Sequence, residues 1–194
     1  MNASNQTISA SELLIGGQRS GKSARAETLT AAWLARSSSH QALMLATATA
    51  WDEEMQHRIA RHQSDRAERV PRMRTLEEPL HLAEQLRIHS RPDTLIVIDC
   101  MSLWLTNWMI PAGQGNFETE LLEEAISQLL TAISDAPGPM ILVSNEIGLG
   151  VIPMGREVRA FVDALGRLNQ LLAGVCQRVT LMAAGLPLTL KAPL

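Results

Sequence analysis

The stretch Gly16-Gly17-Gln18-Arg19-Ser20-Gly21-Lys22-Ser23 decides the fold class of this chain, because it matches the pattern G-x-x-x-x-G-K-[ST]. The apolar residues 13–15 precede it as a short strand would, and residues 24–29 follow without Gly or Pro, as a helix would. In such a P-loop, backbone N–H groups wrap a polyphosphate and a helix N-terminus faces the anion. We therefore predict a nucleoside triphosphate site in which Lys22 reaches the β- and γ-phosphates and the Ser23 hydroxyl ligates Mg²⁺. The strand–loop–helix context disfavours the alternative, a chance Gly/Ser turn.

The composition is that of a soluble globular chain, with 46% hydrophobic and 19% charged residues among 194. This length predicts one α/β core without metals or disulfides. A net charge of −3 without a basic block argues against a nucleic-acid partner. No apolar run is long enough to span a bilayer, and residues 1–10 lack the features of an export signal, so we expect a cytoplasmic protein. Cys100 and Cys176 show no C-x-x-C spacing and are expected to be buried free thiols.

Apolar runs that end at turn residues alternate with longer segments of helical spacing. This order predicts a mostly parallel sheet covered by helices on both faces, in a single-domain α/β P-loop NTPase fold that we class as RecA-like. The domain is expected over residues 11–194, after a flexible extension over residues 1–10. The predicted strands are Glu12–Ile15, Ala42–Ala46, Thr94–Asp99, Met140–Ser144 and Arg178–Met182, with a weaker one near Leu188–Leu190. The predicted helices are 22–36, 52–66, 76–88, 118–134 and 156–175.

The apolar run at residues 95–98 ends in an acid, Asp99. In P-loop proteins the acid at this place reaches Mg²⁺, directly or through water, because the sheet brings the strand end beside the phosphate loop. The pattern alone fits a simple strand end equally well. The P-loop upstream favours the interpretation of Asp99 as the Walker B acid.

A polar, arginine-rich segment over residues 55–66 contains two histidines, His57 and His62. Composition alone favours a solvated helix face. The functional alternative is a histidine nucleophile that attacks a nucleotide α-phosphate while arginines stabilise the transferring group. The spacing does not choose between the two histidines.

Polar residues also follow the predicted strand at 140–144, where Asn145 and Glu146 begin a glycine-containing loop. Ligands bind at the carboxyl edge of open parallel sheets, so this position favours a functional loop. The alternative is an ordinary turn.

Several of these segments together resemble one family, the bifunctional adenosylcobinamide kinase / adenosylcobinamide-phosphate guanylyltransferases of cobalamin biosynthesis. The resemblance runs from about Leu13 to Leu190, and its most specific parts are SNEIGLGVIP at 144–153 and GRLNQ at 166–170. It also rests on GGQRSGKS (16–23), the DEEM..RI..H segment (52–62), DCMSLWLTN (99–107) and the residues Arg156, Arg159 and Phe161.

This resemblance implies two reactions in a kinase/guanylyltransferase domain. ATP or GTP phosphorylates the aminopropanol hydroxyl of adenosylcobinamide, and GMP then passes from GTP to that phosphate through a guanylylated histidine, giving adenosylcobinamide-GDP and pyrophosphate. The family's nucleophile falls on His62 and not on His57. The resemblance also implies a homotrimer. Besides the P-loop, the implied nucleotide contacts are Ala46, Thr47, Ala48, Gln63, Ser64, Asp65, Arg66, Glu77 and Asp99.

Two other functions remain open on the sequence. One is a P-loop kinase of a small metabolite that never transfers GMP, in which His62 is a surface residue. The other is a P-loop switch or assembly ATPase, which the absence of a guanine-reading N-K-x-D pattern disfavours.

Overall fold

The computed structural model describes residues 8–49, 68–110, 118–151 and 153–193. These residues form one seven-stranded sheet with helices on both faces. In chain order the elements are β1 (Ser11–Gly16), α1 (Lys22–Arg36), β2 (Gln41–Ala46), β3 (Met73–Glu77), α2 (Leu82–His89), β4 (Thr94–Asp99), α3 (Met101–Met109), α4 (Thr119–Asp135), β5 (Met140–Asn145), α5 (Arg156–Val175), β6 (Arg178–Ala183) and β7 (Leu186–Lys191).

The strands lie in the order β3-β2-β4-β5-β1-β6-β7, and all neighbours are parallel except β6 and β7. The P-loop strand β1 therefore lies inside the sheet, between β5 and β6. Parallel neighbours need crossover connections, and these put the helices on the faces of the sheet. The predicted mostly parallel α/β sheet is confirmed.

The core consists of two apolar layers, one on each face of the sheet. Successive strand residues point to opposite faces, so Leu13 packs with the layer that contains α2, α3, α4 and α5, whereas Leu14 packs with the layer under α1. Both leucines are completely buried. Full burial of one such side chain stabilises the fold by about 1.5–3 kcal/mol, which explains why the central strands are apolar on both faces.

The prediction of a helix over residues 76–88 is wrong in its first part. The structure has strand β3 over Met73–Glu77, and helix α2 begins only at Leu82. β3 is an edge strand with exposed polar side chains, so it lacks the apolar run that identifies the inner strands. Pro79 separates the two elements, and the Glu78 carboxylate accepts hydrogen bonds from the N–H groups of Leu80 and His81 ahead of the helix.

Helix α3 over Met101–Met109 is absent from the sequence prediction. It follows β4 after a single residue and has few polar side chains, so it shows little of the two-sided pattern that identifies a surface helix. The predicted helix over 52–66 lies outside the described residues.

Two expectations about the chain as a whole can be compared with the structure. Among the described helices, none has the length and apolar character needed to span a bilayer. Cys100 and Cys176 are both free and buried, as predicted.

Ordered contacts begin before the expected domain boundary at residue 11. The Ser9 hydroxyl accepts a hydrogen bond from Arg178 Nε at 2.9 Å, and the Ala10 carbonyl accepts one from the Met140 N–H. Residues 1–7 lie outside the described part of the chain, so the flexibility of the extension stays a prediction.

Candidate nucleotide-binding site

The P-loop connects β1 to α1 and needs its glycines for close backbone approaches. Gly16 (φ 153°) and Gly21 (φ 101°) both have positive φ, which side chains disfavour. A Cβ on Gly16 would overlap the Met182 carbonyl oxygen, and one on Gly21 would lie 3.1 Å from Gly185 Cα. The Gly185 N–H also donates to the Ser20 carbonyl at 3.0 Å. The turn between β6 and β7 thus packs directly against the phosphate loop.

The Lys22 side chain lies within the loop. Its Nζ donates to the carbonyls of Gly16 at 2.9 Å and Gly17 at 2.8 Å, and only 8% of the residue is exposed. Burial lowers the pKa of Lys22, and nearby negative charge opposes this shift. Asp99 is the source of that charge, because burial raises the pKa of the Cys100 thiol and keeps it neutral. The structure therefore brings together the predicted P-loop lysine and Walker B acid.

Ser20 supplies an unused hydrogen-bonding group inside the P-loop. Its Oγ is buried and has no hydrogen-bond partner among the described residues. Buried hydroxyls are almost always paired in folded proteins, so an unpaired one in a loop of this type is suited to a phosphate oxygen. Ser23 is half-buried in the first turn of α1.

The other predicted residues lie along the carboxyl edge of the same sheet. In the strand register, Ala46 pairs with both Glu77 and Asp99, and Gly16 pairs with Asn145. β3 lies four strand positions from β1, which at the usual spacing is roughly 19 Å. If Glu77 contacts the nucleotide, it therefore contacts the end of the nucleotide that lies far from the phosphates.

Thr47 joins the end of β2 to the end of β4. Its hydroxyl donates to the Cys100 carbonyl at 2.7 Å and accepts from the Cys100 N–H at 2.8 Å, while its own N–H donates to the Asp99 carbonyl. Asn107 on α3 donates to the Thr47 carbonyl at 2.8 Å. The Thr47 hydroxyl thus holds Cys100, the residue after Asp99, and the contacts of Thr47 and of half-buried Ala48 with nucleotide stay predictions.

The end of β5 is held by polar side chains, and the sequence analysis gave no individual role to three of them, Ser102, Ser144 and Asn169. Asn169 on α5 accepts a hydrogen bond from the Ser144 hydroxyl at 2.6 Å and donates to the Asn145 carbonyl at 3.0 Å. Asn145 Nδ2 in turn donates to Ser102 Oγ on α3 at 2.8 Å. These are polar residues buried in otherwise apolar surroundings, and that contrast was the sequence signal available for finding them.

The loop that follows β5 contacts the P-loop and then forms one wall of a groove. The Glu146 N–H donates to the Gly16 carbonyl at 3.0 Å, and the Glu146 carboxylate accepts from the Gly148 N–H at 2.7 Å. The following loop and α5 enclose a cavity of about 420 Å³. Both Asn145 and Glu146 thus lie at the edge that the sequence analysis favoured for ligand binding.

His62 and the predicted contacts Gln63, Ser64, Asp65 and Arg66 lie outside the described residues. Their roles, and the choice between His57 and His62, stay predictions.

The residues that are described fit a nucleotide-bound Mg²⁺. Across the described ranges, no cluster of three or more His, Cys, Asp or Glu side chains is placed to hold a metal by itself. Mg²⁺ at a phosphate site uses one or two protein ligands, with phosphates and water filling the other positions. The Ser23 hydroxyl and the Asp99 carboxylate supply two oxygen ligands, which is the number and the chemistry that such a Mg²⁺ requires.

Comparison with known proteins now identifies the family. The model of the family described as cobinamide kinase / cobinamide phosphate guanyltransferase matches residues 12–190. The chain belongs to this family. It is 45% identical over 180 residues to the bifunctional adenosylcobalamin biosynthesis protein CobP of Pseudomonas aeruginosa, covering 93% of this chain and 96% of that protein. It is 33% identical over 187 residues to the bifunctional adenosylcobalamin biosynthesis protein CobU of Escherichia coli, covering 92% and 98% of the two chains.

The fold also resembles a solved structure outside the family. The flagellar accessory protein FlaH from Methanocaldococcus jannaschii superposes with a TM-score of 0.51 at 12% identity, over 96% of this chain and 80% of that one. At such low identity the likeness concerns the fold alone.

Proposed function

We propose that this chain is a transferase that phosphorylates adenosylcobinamide with ATP or GTP and then transfers GMP from GTP to adenosylcobinamide-phosphate. The observation that carries the proposal is the P-loop with Lys22 and Asp99 at one sheet edge, in a chain that the family model matches over residues 12–190. The relatives named above are described as bifunctional proteins of adenosylcobalamin biosynthesis. The product of the second step is adenosylcobinamide-GDP.

The first step is phosphoryl transfer to a hydroxyl. The aminopropanol oxygen attacks the γ-phosphorus in line, the bond from that phosphorus to the β–γ bridging oxygen breaks, and the hydroxyl proton passes to water. The P-loop N–H groups and Lys22 stabilise the charge on the phosphate oxygens. Bound Mg²⁺, held by Ser23 and Asp99, would neutralise further phosphate charge.

The second step needs a nucleophile on the α-phosphate of GTP. A neutral His62 nitrogen attacks the α-phosphorus and pyrophosphate leaves. An oxygen of adenosylcobinamide-phosphate then attacks the same phosphorus, and the bond to His62 breaks. In this proposal the nucleotide is further contacted by the residues around the strand ends and after the histidine, namely Ala46, Thr47, Ala48, Gln63, Ser64, Asp65, Arg66 and Glu77.

The decisive experiment compares His62→Ala with His57→Ala in the presence of Mg²⁺ and GTP labelled at the α-phosphorus. His57→Ala should retain acid-labile label and both activities. His62→Ala should retain no label and form no adenosylcobinamide-GDP, yet still phosphorylate adenosylcobinamide, because phosphoryl transfer needs no covalent protein intermediate. Label lost from the His57 variant alone would assign the nucleophile to His57. A wild-type protein that phosphorylates adenosylcobinamide but never takes label would be a kinase without the second activity.

The proposal extends to the assembly and the location. Family resemblance supports a homotrimer, and we infer a cytoplasmic location. The net charge of −3 without a basic block argues against a nucleic-acid partner. Sedimentation equilibrium of the purified protein tests the assembly, and a single species with three times the chain mass is expected.

A further inference from the structure

A groove beside the P-loop is the strongest feature that the two proposed reactions leave unassigned. It lies between the loop after β5 and one side of α5, and its cavity measures about 420 Å³. The loop starts next to Asn145, which pairs with Gly16 in the sheet, and the Glu146 N–H is bonded to the Gly16 carbonyl. The loop that forms one wall of the groove therefore starts beside the first residue of the P-loop.

Gly166, in the middle of α5, lines this groove. Glycine in the interior of a helix is less stable than alanine would be, so its presence at this position calls for an explanation. Packing does not supply one, because a Cβ at Gly166 would meet no atom of the described structure within 4 Å. Gly148 and Gly150 line the same groove from the loop side. A surface without side chains permits close approach of a broad ligand to the backbone.

The walls of the groove combine apolar and polar groups. Three polar residues of α5 lie on the side of the helix that faces the groove, because they are four and seven positions apart: Arg159, Asp163 and Gln170. On the loop side, Val151 is 97% exposed, and Met154 just beyond it is 95% exposed. Apolar side chains exposed to this degree next to a cavity are typical of a binding surface.

We propose that this groove binds the corrinoid acceptor, an inference that rests on the function proposed above. A corrin macrocycle presents wide apolar faces and a rim of amide side chains. The apolar faces match Val151 and Met154, and the amides match the hydrogen-bonding groups of Arg159, Asp163 and Gln170. The cavity is smaller than a corrinoid, so it receives one edge of the ring, and the aminopropanol arm extends along Glu146 to the P-loop.

The other occupant of such a surface would be a second copy of this chain. We favour the corrinoid because the loop that forms one wall of the groove begins beside Glu146, whose N–H is bonded to Gly16 of the P-loop, and because glycines line the groove from both sides. An interface between copies requires neither feature.

The test fills the groove and leaves the nucleotide site unchanged. Gly166→Trp puts a large side chain into the open space, and Gly174→Trp is the matched control, because it adds the same side chain at an open position of α5 that does not line the groove. For Gly166→Trp we expect the KM for adenosylcobinamide to rise roughly tenfold or more, with the KM for GTP unchanged. For Gly174→Trp both constants should stay within about twofold of the wild type. An unchanged corrinoid KM in Gly166→Trp would overturn the proposal.

A second variant guards against misfolding of the first. Val151→Asp alters an almost fully exposed side chain, so it should fold normally and also raise the KM for the corrinoid. A normal corrinoid KM in a folded Val151→Asp protein would count against corrinoid binding in the groove. A Gly166→Trp protein that dissociates into smaller species on sedimentation, with its corrinoid affinity intact, would assign the surface to a second copy.

Two further measurements separate failure of this inference from failure of the proposed function. Covalent labelling by α-labelled GTP needs no corrinoid, so Gly166→Trp should take label as the wild type does. Equilibrium dialysis with cobinamide, followed by its visible absorbance, measures binding without any reaction. If cobinamide binds the wild type and not Gly166→Trp, the result supports corrinoid binding in the groove even if no GMP transfer is found. Equal binding by the two proteins refutes corrinoid binding in the groove.

Discussion

Replacement of Asn169 by leucine tests the hydrogen bonds that hold the end of β5. The Asn169 side chain is buried and bonds both the Ser144 hydroxyl at 2.6 Å and the Asn145 carbonyl at 3.0 Å. Leucine has a similar size but leaves both partners without this contact. Each of these two unsatisfied buried groups costs about 1–3 kcal/mol, and burial of the added apolar surface offsets about 1 kcal/mol of the total. We therefore expect Asn169→Leu to lower the free energy of unfolding by about 1–5 kcal/mol.

Urea denaturation measures this change, and a double-mutant cycle with Ser144→Ala identifies its source. Ser144→Ala removes the hydroxyl that Asn169→Leu would leave unpaired, so the double variant should lose about 1–2 kcal/mol less than the sum of the single variants. Thermal unfolding of Asn169→Leu should begin about 2–20 °C lower, at about 2–4 °C per kcal/mol for a chain of this size. A change below about 0.5 kcal/mol, or strict additivity in the cycle, would refute this account of the β5 end.

Four further predictions concern Lys22, Asp99 and, in the last two, the cysteines. Lys22→Ala should slow phosphoryl and guanylyl transfer alike, by roughly 30- to 1,000-fold for a loss of about 2–4 kcal/mol of transition-state stabilisation, and normal turnover in either assay would exclude a shared triphosphate site. Asp99→Asn should raise the Mg²⁺ concentration needed for half-maximal rate while urea stability changes little, and an unchanged Mg²⁺ dependence would make Asp99 a simple strand end. Burial raises the pKa of Cys176 to about 12 and also raises that of Cys100, so Ellman's reagent should titrate two thiols in the unfolded protein and almost none in the native one. Because the unfolded thiols ionise near pH 8.5 and the folded ones do not, the free energy of unfolding should fall as the pH rises above about 8.5, and a flat profile there would contradict the burial effect.

Local spacing was sufficient to predict much of this site. The P-loop, Asp99 and the inner strands each follow from a short run of residues, because the apolar pattern and the glycine positions are set within a few neighbours. β3 was not predicted because the polar residues Arg74, Thr75 and Glu77 interrupt the apolar run by which the inner strands are identified. The link between Asn169 and Ser144 was not predictable either, since 25 residues separate the partners and only the packing of α5 on the sheet brings them together.

The contact between the P-loop and the β6–β7 turn has a consequence for synthesis of the chain. Ser20 is made well before its partner Gly185, and both neighbours of β1 in the sheet, β5 and β6, also come later in the sequence. A nascent chain that stops before the turn therefore lacks the hydrogen bond to Ser20. Because a ligand stabilises only the conformation it binds, we expect nucleotide to stabilise this protein only after the β6–β7 turn has been made. Stabilisation by nucleotide should therefore distinguish a chain that contains this turn from one that stops before it.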